Sequence, residues 1–126
     1  MILNTIDKEK ASILIVDDDQ TIRDVLQLSL EHRGYSVDTA DNGQQAIINF
    51  VTHKYDLVIT DIEMPVMGGN ELCKTINQHS PDIPIIAITG MSSKAAAPFQ
   101  KVYQKPFRAT QIAQAVKEFM STGENG

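Results

Sequence analysis

Residues 56–69 read DLVITDIEMPVMGG. The stretch opens with a short apolar run, Leu57-Val58-Ile59-Thr60, rich in the β-branched residues that suit a buried strand. The run ends on an aspartate, Asp61, and a proline and two glycines follow shortly after. A strand that is apolar on both faces belongs inside a parallel sheet. Such a strand fixes the direction of the carboxylate at its end, while the Pro-Gly loop leaves that carboxylate reachable.

The same pattern recurs on either side. SILIV (12–16), YSVDTA (35–40) and IIAIT (85–89) read as strands, and KVYQ (101–104) as a weaker fifth. Helical periodicity fills the gaps. Residues 20–33 place Ile22, Val25, Leu26 and Leu30 on one face, and His32, Arg33 and Gly34 close the helix. Asn42 and Gln45 have capping-box spacing ahead of a helix that packs Ala46, Ile47, Phe50 and Val51. A third helix carries Leu72, Cys73 and Ile76, and the last, 108–120, buries Ile112, Val116, Phe119 and Met120. Repeated βα units predict an α/β fold with a parallel sheet covered on both faces. All strands then end on one edge, where the ligands of such sheets bind.

The chain has 126 residues, room for one core and little more. We expect a loose lead-in over 1–11, one domain over 12–120 and a disordered tail over 121–126. A net charge of −5, with scattered basic residues, argues against a nucleic-acid surface. The single cysteine, Cys73, rules out an internal disulfide and fits a reduced, cytoplasmic setting as an inert packed thiol. No apolar run approaches the ~18 residues of a membrane helix. His32, His53 and His79 share no metal-binding spacing.

The expected edge gathers Asp17, Asp18 and Asp19 after the first strand and Asp61 and Glu63 after the third. Thr89 follows the fourth, and Lys105 and Pro106 the fifth. Asp19 suits a helix cap, which leaves Asp17 and Asp18 near Asp61. Two carboxylates ~4 Å apart repel by roughly 4 kcal/mol at an effective dielectric of about 20. An all-oxygen cluster with open positions suits Mg²⁺. A nucleophilic carboxylate, a hard cation, a hydroxyl donor and a lysine together describe machinery for phosphoryl transfer onto aspartate.

The chain resembles the receiver domain of a two-component response regulator over nearly its whole length. The resemblance rests on ILIVDDD (13–19), DLVITDIEMPVMGG (56–69), IIAITG (85–90) and YQKPF (103–107), in the family's order. It implies a flavodoxin-like, doubly wound, five-stranded parallel sheet of order 2-1-3-4-5. It also implies Asp61 as phosphoacceptor, with Mg²⁺ held directly by Asp18 and Asp61, through water by Asp17 and through the backbone carbonyl of Glu63. Thr89 and Lys105 would bind the phosphoryl oxygens, and the Lys105–Pro106 bond would be cis. The phosphate would come from a histidine kinase or phosphotransfer protein, and the domain would later hydrolyse it. Its only catalysis would be its own phosphorylation and dephosphorylation, in the service of a downstream protein target. The chain reads as a stand-alone regulator or as a domain of a larger regulator or hybrid kinase.

Three positions depart from the family pattern. Gly68 stands where an Asp or Asn is common. Val102 occupies the usual place of a switch aromatic, with Tyr103 next door. Residues 90–104 are about one and a half helical turns short, so the helix between the fourth and fifth strands should be short or irregular. Glu63 should add negative charge beside the site. Two rivals remain. A pseudo-receiver would be a binding module that has lost phosphorylation. A haloacid-dehalogenase-type phosphatase would use Asp17, although no Asp follows Lys105 to complete its motif. An EF-hand starting at Asp17 fails because Ile22 holds the glycine position.

Overall fold

The computed structural model describes residues 10–124, with the side chains of 10–120. The lead-in through residue 9 and the last two residues lie outside the described residues. The elements in chain order are β1 (Ser12–Val16), α1 (Gln20–His32), β2 (Ser36–Ala40), α2 (Gly43–Thr52), β3 (Leu57–Asp61), α3 (Gly69–His79), β4 (Ile85–Thr89), β5 (Lys101–Gln104) and α4 (Ala109–Glu124). The five strands form one parallel sheet in the order β2-β1-β3-β4-β5. Between β4 and β5 the chain makes only a 3-10 turn, Ser92–Lys94, where the fold would normally place a full helix.

Side chains alternate across a strand, and that period of two divides the core into two layers. Ile13, Ile15, Leu57, Ile59, Ile86 and Ile88 face Leu26 and Leu30 of α1 and Ile112 and Val116 of α4. Leu14, Val16, Val58 and Ile85 face Ala46 of α2 and Leu72, Cys73 and Ile76 of α3. The second layer also draws in Ala97 and Phe99, which cover the place of the missing helix. The Cys73 thiol is buried there, and burial pushes it up to about 11, as an inert packing residue.

Two apolar residues lie elsewhere than the helical pattern predicts. Val51 is 67% exposed, because it stands about 100° further round α2 than Phe50, past the stripe that Ala46, Ile47 and Phe50 already fill. Val25 is 46% exposed and lines an apolar cavity of about 480 Å³ with Ile22, Pro106 and Phe107. The caps follow the sequence closely. Asp19 accepts the Thr21 N–H at 2.9 Å and Asn42 accepts the Gln45 N–H at 2.8 Å. The Gln45 amide reaches Asn49 instead of closing the capping box. Helix α4 continues to Glu124, past the start of the tail at 121, because extending an existing helix carries no nucleation cost. No described helix is long and apolar enough to cross a membrane.

Candidate functional site

Asp17 follows directly on β1 and Asp61 ends β3, and both strands are interior to the sheet. Asp17 is fully buried and held from several directions. Its N–H donates to the Ala40 carbonyl at 3.1 Å, its carbonyl accepts from Arg23 Nη1 at 2.7 Å, and its Oδ1 accepts the Asp19 N–H at 2.8 Å. Asp61 is 4% exposed, and its Oδ1 accepts the Ile62 N–H at 2.7 Å. Asp18 is exposed at the mouth. The three carboxylates offer oxygens that all lie within 4.8 Å of one another, so the predicted convergence is present.

Lys105, the residue after β5, faces this cluster. Lys105 Nζ lies 3.3 Å from Asp17 Oδ2 and 3.3 Å from Asp61 Oδ2. The Lys105 N–H donates to the Thr89 carbonyl at 2.7 Å, which continues the β4–β5 ladder, and its bond to Pro106 is cis, as the resemblance implied.

The charges do not balance. Burial raises the Asp17 carboxyl to about 6, and the charge of Asp61 adds to the rise. The Asp19 N–H and Lys105 oppose it. Burial likewise holds Asp61 above its ordinary value, against Lys105 and the Ile62 N–H. Burial works to lower Lys105, but Asp17 and Asp61 outweigh it and keep the ammonium above its usual value. Both carboxyls move upward because one ammonium cannot offset their desolvation, and Lys105 moves upward because two carboxylates face it. Asp17 Oδ2 is buried without a well-aligned hydrogen bond among the described residues, with Lys105 Nζ 3.3 Å away. An orphaned buried oxygen in an all-carboxylate cluster fits a hard divalent cation such as Mg²⁺.

The loop after β3 explains the glycine pair. The Gly69 N–H donates to the Ile62 carbonyl at 2.8 Å, and a Cβ at Gly69 would collide with the Asp61 carbonyl. A Cβ at Gly68 would sit 2.8 Å from the Ile62 carbonyl, so this chain's departure from Asp or Asn there has a steric reason. Between them and Pro65, the Met67 N–H donates back to the Pro65 carbonyl at 2.8 Å in a γ-turn, with Val66 at φ 73°. That conformation is strained for a β-branched residue.

The remaining predicted residues are placed less simply. Thr89 is fully buried at the end of β4. Its Oγ1 accepts the Met91 N–H at 3.1 Å and donates to the Met91 carbonyl at 3.3 Å. Glu63 turns its carboxylate outward to Lys94 Nζ at 2.8 Å, with both side chains 52% exposed. The extra negative charge expected beside the site is therefore neutralised by a lysine of the 3-10 turn. Val102 is 37% exposed, while Tyr103 pairs with Ile88 and packs in the α1/α4 layer. Val102 pairs with Ala87, and the aromatic next to it faces the opposite side of the sheet. Two polar anchors were not found from the sequence. Arg23 holds the Asp17 carbonyl, and Asn70 bonds Lys94 and Ala96. The Arg23 contact spans only six residues but follows no capping or pairing pattern, and the Asn70 contacts depend on where a distant segment returns.

Comparison with known proteins agrees with this geometry. Residues 13–117 match the family described as the response regulator receiver domain. The probable transcriptional regulator ycf27 of Cyanidium caldarium is 46% identical over 88 residues, covering 70% of this chain and 35% of that protein. The alkaline phosphatase synthesis transcriptional regulatory protein PhoP of Bacillus subtilis is 33% identical over 122 residues, covering 89% of this chain and 49% of that protein. The chain thus spans half or less of the length of these curated relatives. Among solved structures, response regulator protein TrrA of Thermotoga maritima, in complex with Mg(2+)-BeF, is 35% identical with a TM-score of 0.80, covering 86% of this chain and 98% of that one. The chain belongs to the response regulator receiver domains of two-component signalling systems.

Proposed function

We propose that Asp61 accepts a phosphoryl group from the phosphohistidine of a histidine kinase or phosphotransfer protein, and that the phosphorylated domain then signals to a downstream protein. The observation that carries this reading is the meeting of three carboxylates and the Lys105 ammonium on one sheet edge, with a buried Asp17 oxygen left without a well-aligned hydrogen bond. Ile62 occupies one Asp61 oxygen, and the other, Oδ2, faces Lys105. Oδ2 is the nucleophile: it bonds to phosphorus, the P–N bond of the donor breaks, and the imidazole leaves with the electron pair and takes up a proton. Hydrolysis reverses the outcome, with water displacing the aspartate oxygen and releasing inorganic phosphate. Lys105 balances the charge that develops on the phosphoryl oxygens. Thr89 donates its hydroxyl to one of them after leaving Met91.

Asp17, Asp18 and Asp61, together with the backbone carbonyl of Glu63, would hold Mg²⁺. Bound there, the ion would supply the positive charge that lets crowded anions receive another anion. No Asp follows Lys105 to complete the motif of a phosphatase that would use Asp17.

The deciding experiment is labelling with a small phosphodonor, read by intact mass. The wild-type chain should gain one phosphoryl group with Mg²⁺ and none with chelator, and Asp61→Asn should gain none. An acyl phosphate mapped to Asp17, or no labelling under any condition, would overturn the assignment.

A further inference from the structure

The connection between β4 and β5 has no helix to anchor it, and side chains from the acidic edge hold it instead. Asn70, at the start of α3, does most of this. Its Nδ2 donates to the Lys94 carbonyl at 2.9 Å, and its Oδ1 accepts the Ala96 N–H at 2.8 Å. One side chain thus satisfies a carbonyl and an N–H of a distant segment, as a neighbouring strand would. The Lys94 N–H in turn donates to the Met91 carbonyl at 3.0 Å. That same carbonyl accepts the Thr89 hydroxyl at 3.3 Å, and the Met91 N–H donates to Thr89 Oγ1 at 3.1 Å. A continuous run of hydrogen bonds therefore leads from the Asn70 amide to the Thr89 hydroxyl.

A hydroxyl has one proton to donate. While Thr89 gives it to Met91, an oxyanion on Asp61 receives none, and moving the oxygen toward Asp61 breaks both Met91 bonds. Other contacts share the hold on the turn. Gln104 Oε1 accepts the Ser92 N–H at 3.3 Å, and Lys94 pairs with Glu63 at 2.8 Å. Asn70 differs from them in gripping the backbone at two points, and its hydrogen bonds go to the connection rather than to the carboxylate cluster.

Resting on the assignment of Asp61 as phosphoacceptor, we propose that Asn70 is a positioning residue. By clamping residues 94–96 it holds the Met91 peptide against Thr89, and so sets how readily Thr89 is released to an oxyanion at Asp61. Loosening the clamp favours the released state, so a phosphoryl mimic should bind more tightly, while Mg²⁺ alone, which does not call on Thr89, should bind as before.

Two variants test this from opposite sides. Asn70→Ala removes both contacts. Ala96→Pro removes only the N–H donor, and Ala95, at φ −69° and ψ 118°, already has the extended backbone that suits a residue before proline. For each, calorimetry measures Mg²⁺ affinity alone and beryllofluoride affinity at saturating Mg²⁺. Beryllofluoride should bind about threefold to tenfold more tightly in both variants, which is the worth of roughly one net hydrogen bond. Mg²⁺ affinity should stay within about twofold of the wild-type value. Unchanged or weaker beryllofluoride binding in the variants, or Mg²⁺ affinity that moves in parallel with it, overturns the role of Asn70 alone. A wild-type chain that binds no beryllofluoride in Mg²⁺ overturns the phosphoacceptor assignment and this proposal with it.

Discussion

The acidic edge and the β4–β5 connection lie side by side and are built in opposite ways. Asp17 and Asp61 extend from β1 and β3, each of which has a strand on both sides, and their carboxylates are buried against one lysine. The connection is a single 3-10 turn whose residues are exposed, tied down by Asn70, Gln104, Thr89 and Glu63. The difference follows from what each region must resist. Repelling carboxylates separate unless a stiff frame holds them, and only central strands supply that stiffness. A segment that has to change partners is better held by bonds worth about 1 kcal/mol each, because these can be exchanged without unfolding the domain.

The contrast makes its largest demand on stability. Ile59→Ala, in the strand that carries Asp61, should destabilise the domain by about 2–5 kcal/mol. Phe99→Ala, which removes a half-buried anchor of the connection, should cost about 1–2 kcal/mol. Denaturant unfolding measures both, and equal losses would erase the distinction between frame and connection.

Next comes the stored repulsion. Asp17 is raised from 3.8 in the unfolded chain to about 6 in the folded one, so the native state binds its proton more tightly. Its contribution to stability is present in full below the unfolded value and is lost as pH rises through about 6. Asp17→Asn should therefore stabilise the metal-free domain at pH 7.5, by about 1–3 kcal/mol, and the gain should vanish near pH 4. Thermal melts at the two pH values, in chelator, check the sign. Destabilisation at pH 7.5 would mean that Lys105 already offsets the cluster.

A smaller effect concerns the loop after β3. Val66→Gly should relieve the strained γ-turn and raise stability by about 1 kcal/mol, measured by the same denaturant titration. The smallest effect belongs to the ion pair that links the two regions. Lys94→Ala leaves the Glu63 carboxylate uncompensated near Asp61. Labelling by a small anionic phosphodonor should slow by roughly twofold to threefold at low salt and recover at high salt. No salt dependence of that difference would show that Glu63 does not act on the site through its charge.

Much of the architecture was legible because it rests on periodicity. Alternation along SILIV and LVITD assigns Ile13, Ile15, Leu57 and Ile59 to one layer and Leu14, Val16 and Val58 to the other. Parallel strands then bring Asp17, Asp61, Thr89 and Lys105 to one edge. The shortness of the 90–104 segment was legible from its length set against the family pattern. The pattern misjudged Val25 and Val51, because a helical stripe says which residues share a face but not how wide a strip the sheet covers. The sequence reading also set an uncompensated Glu63 charge beside the site, because its partner Lys94 lies thirty-one positions along the chain.

What the amino-acid order determined by itself was the set of strands, their polar ends and the family to which the chain belongs, because local hydrophobic alternation and four short motifs are properties of neighbours in sequence. Only the tertiary structure decided that Asp17 keeps one oxygen without a well-aligned hydrogen bond, that Thr89 is engaged with Met91 and that Asn70 clamps the turn in place of a helix. The Asn70 contacts join segments far apart in the chain, and the short-range geometry at Asp17 and Thr89 depends on distances and angles that no residue pattern encodes.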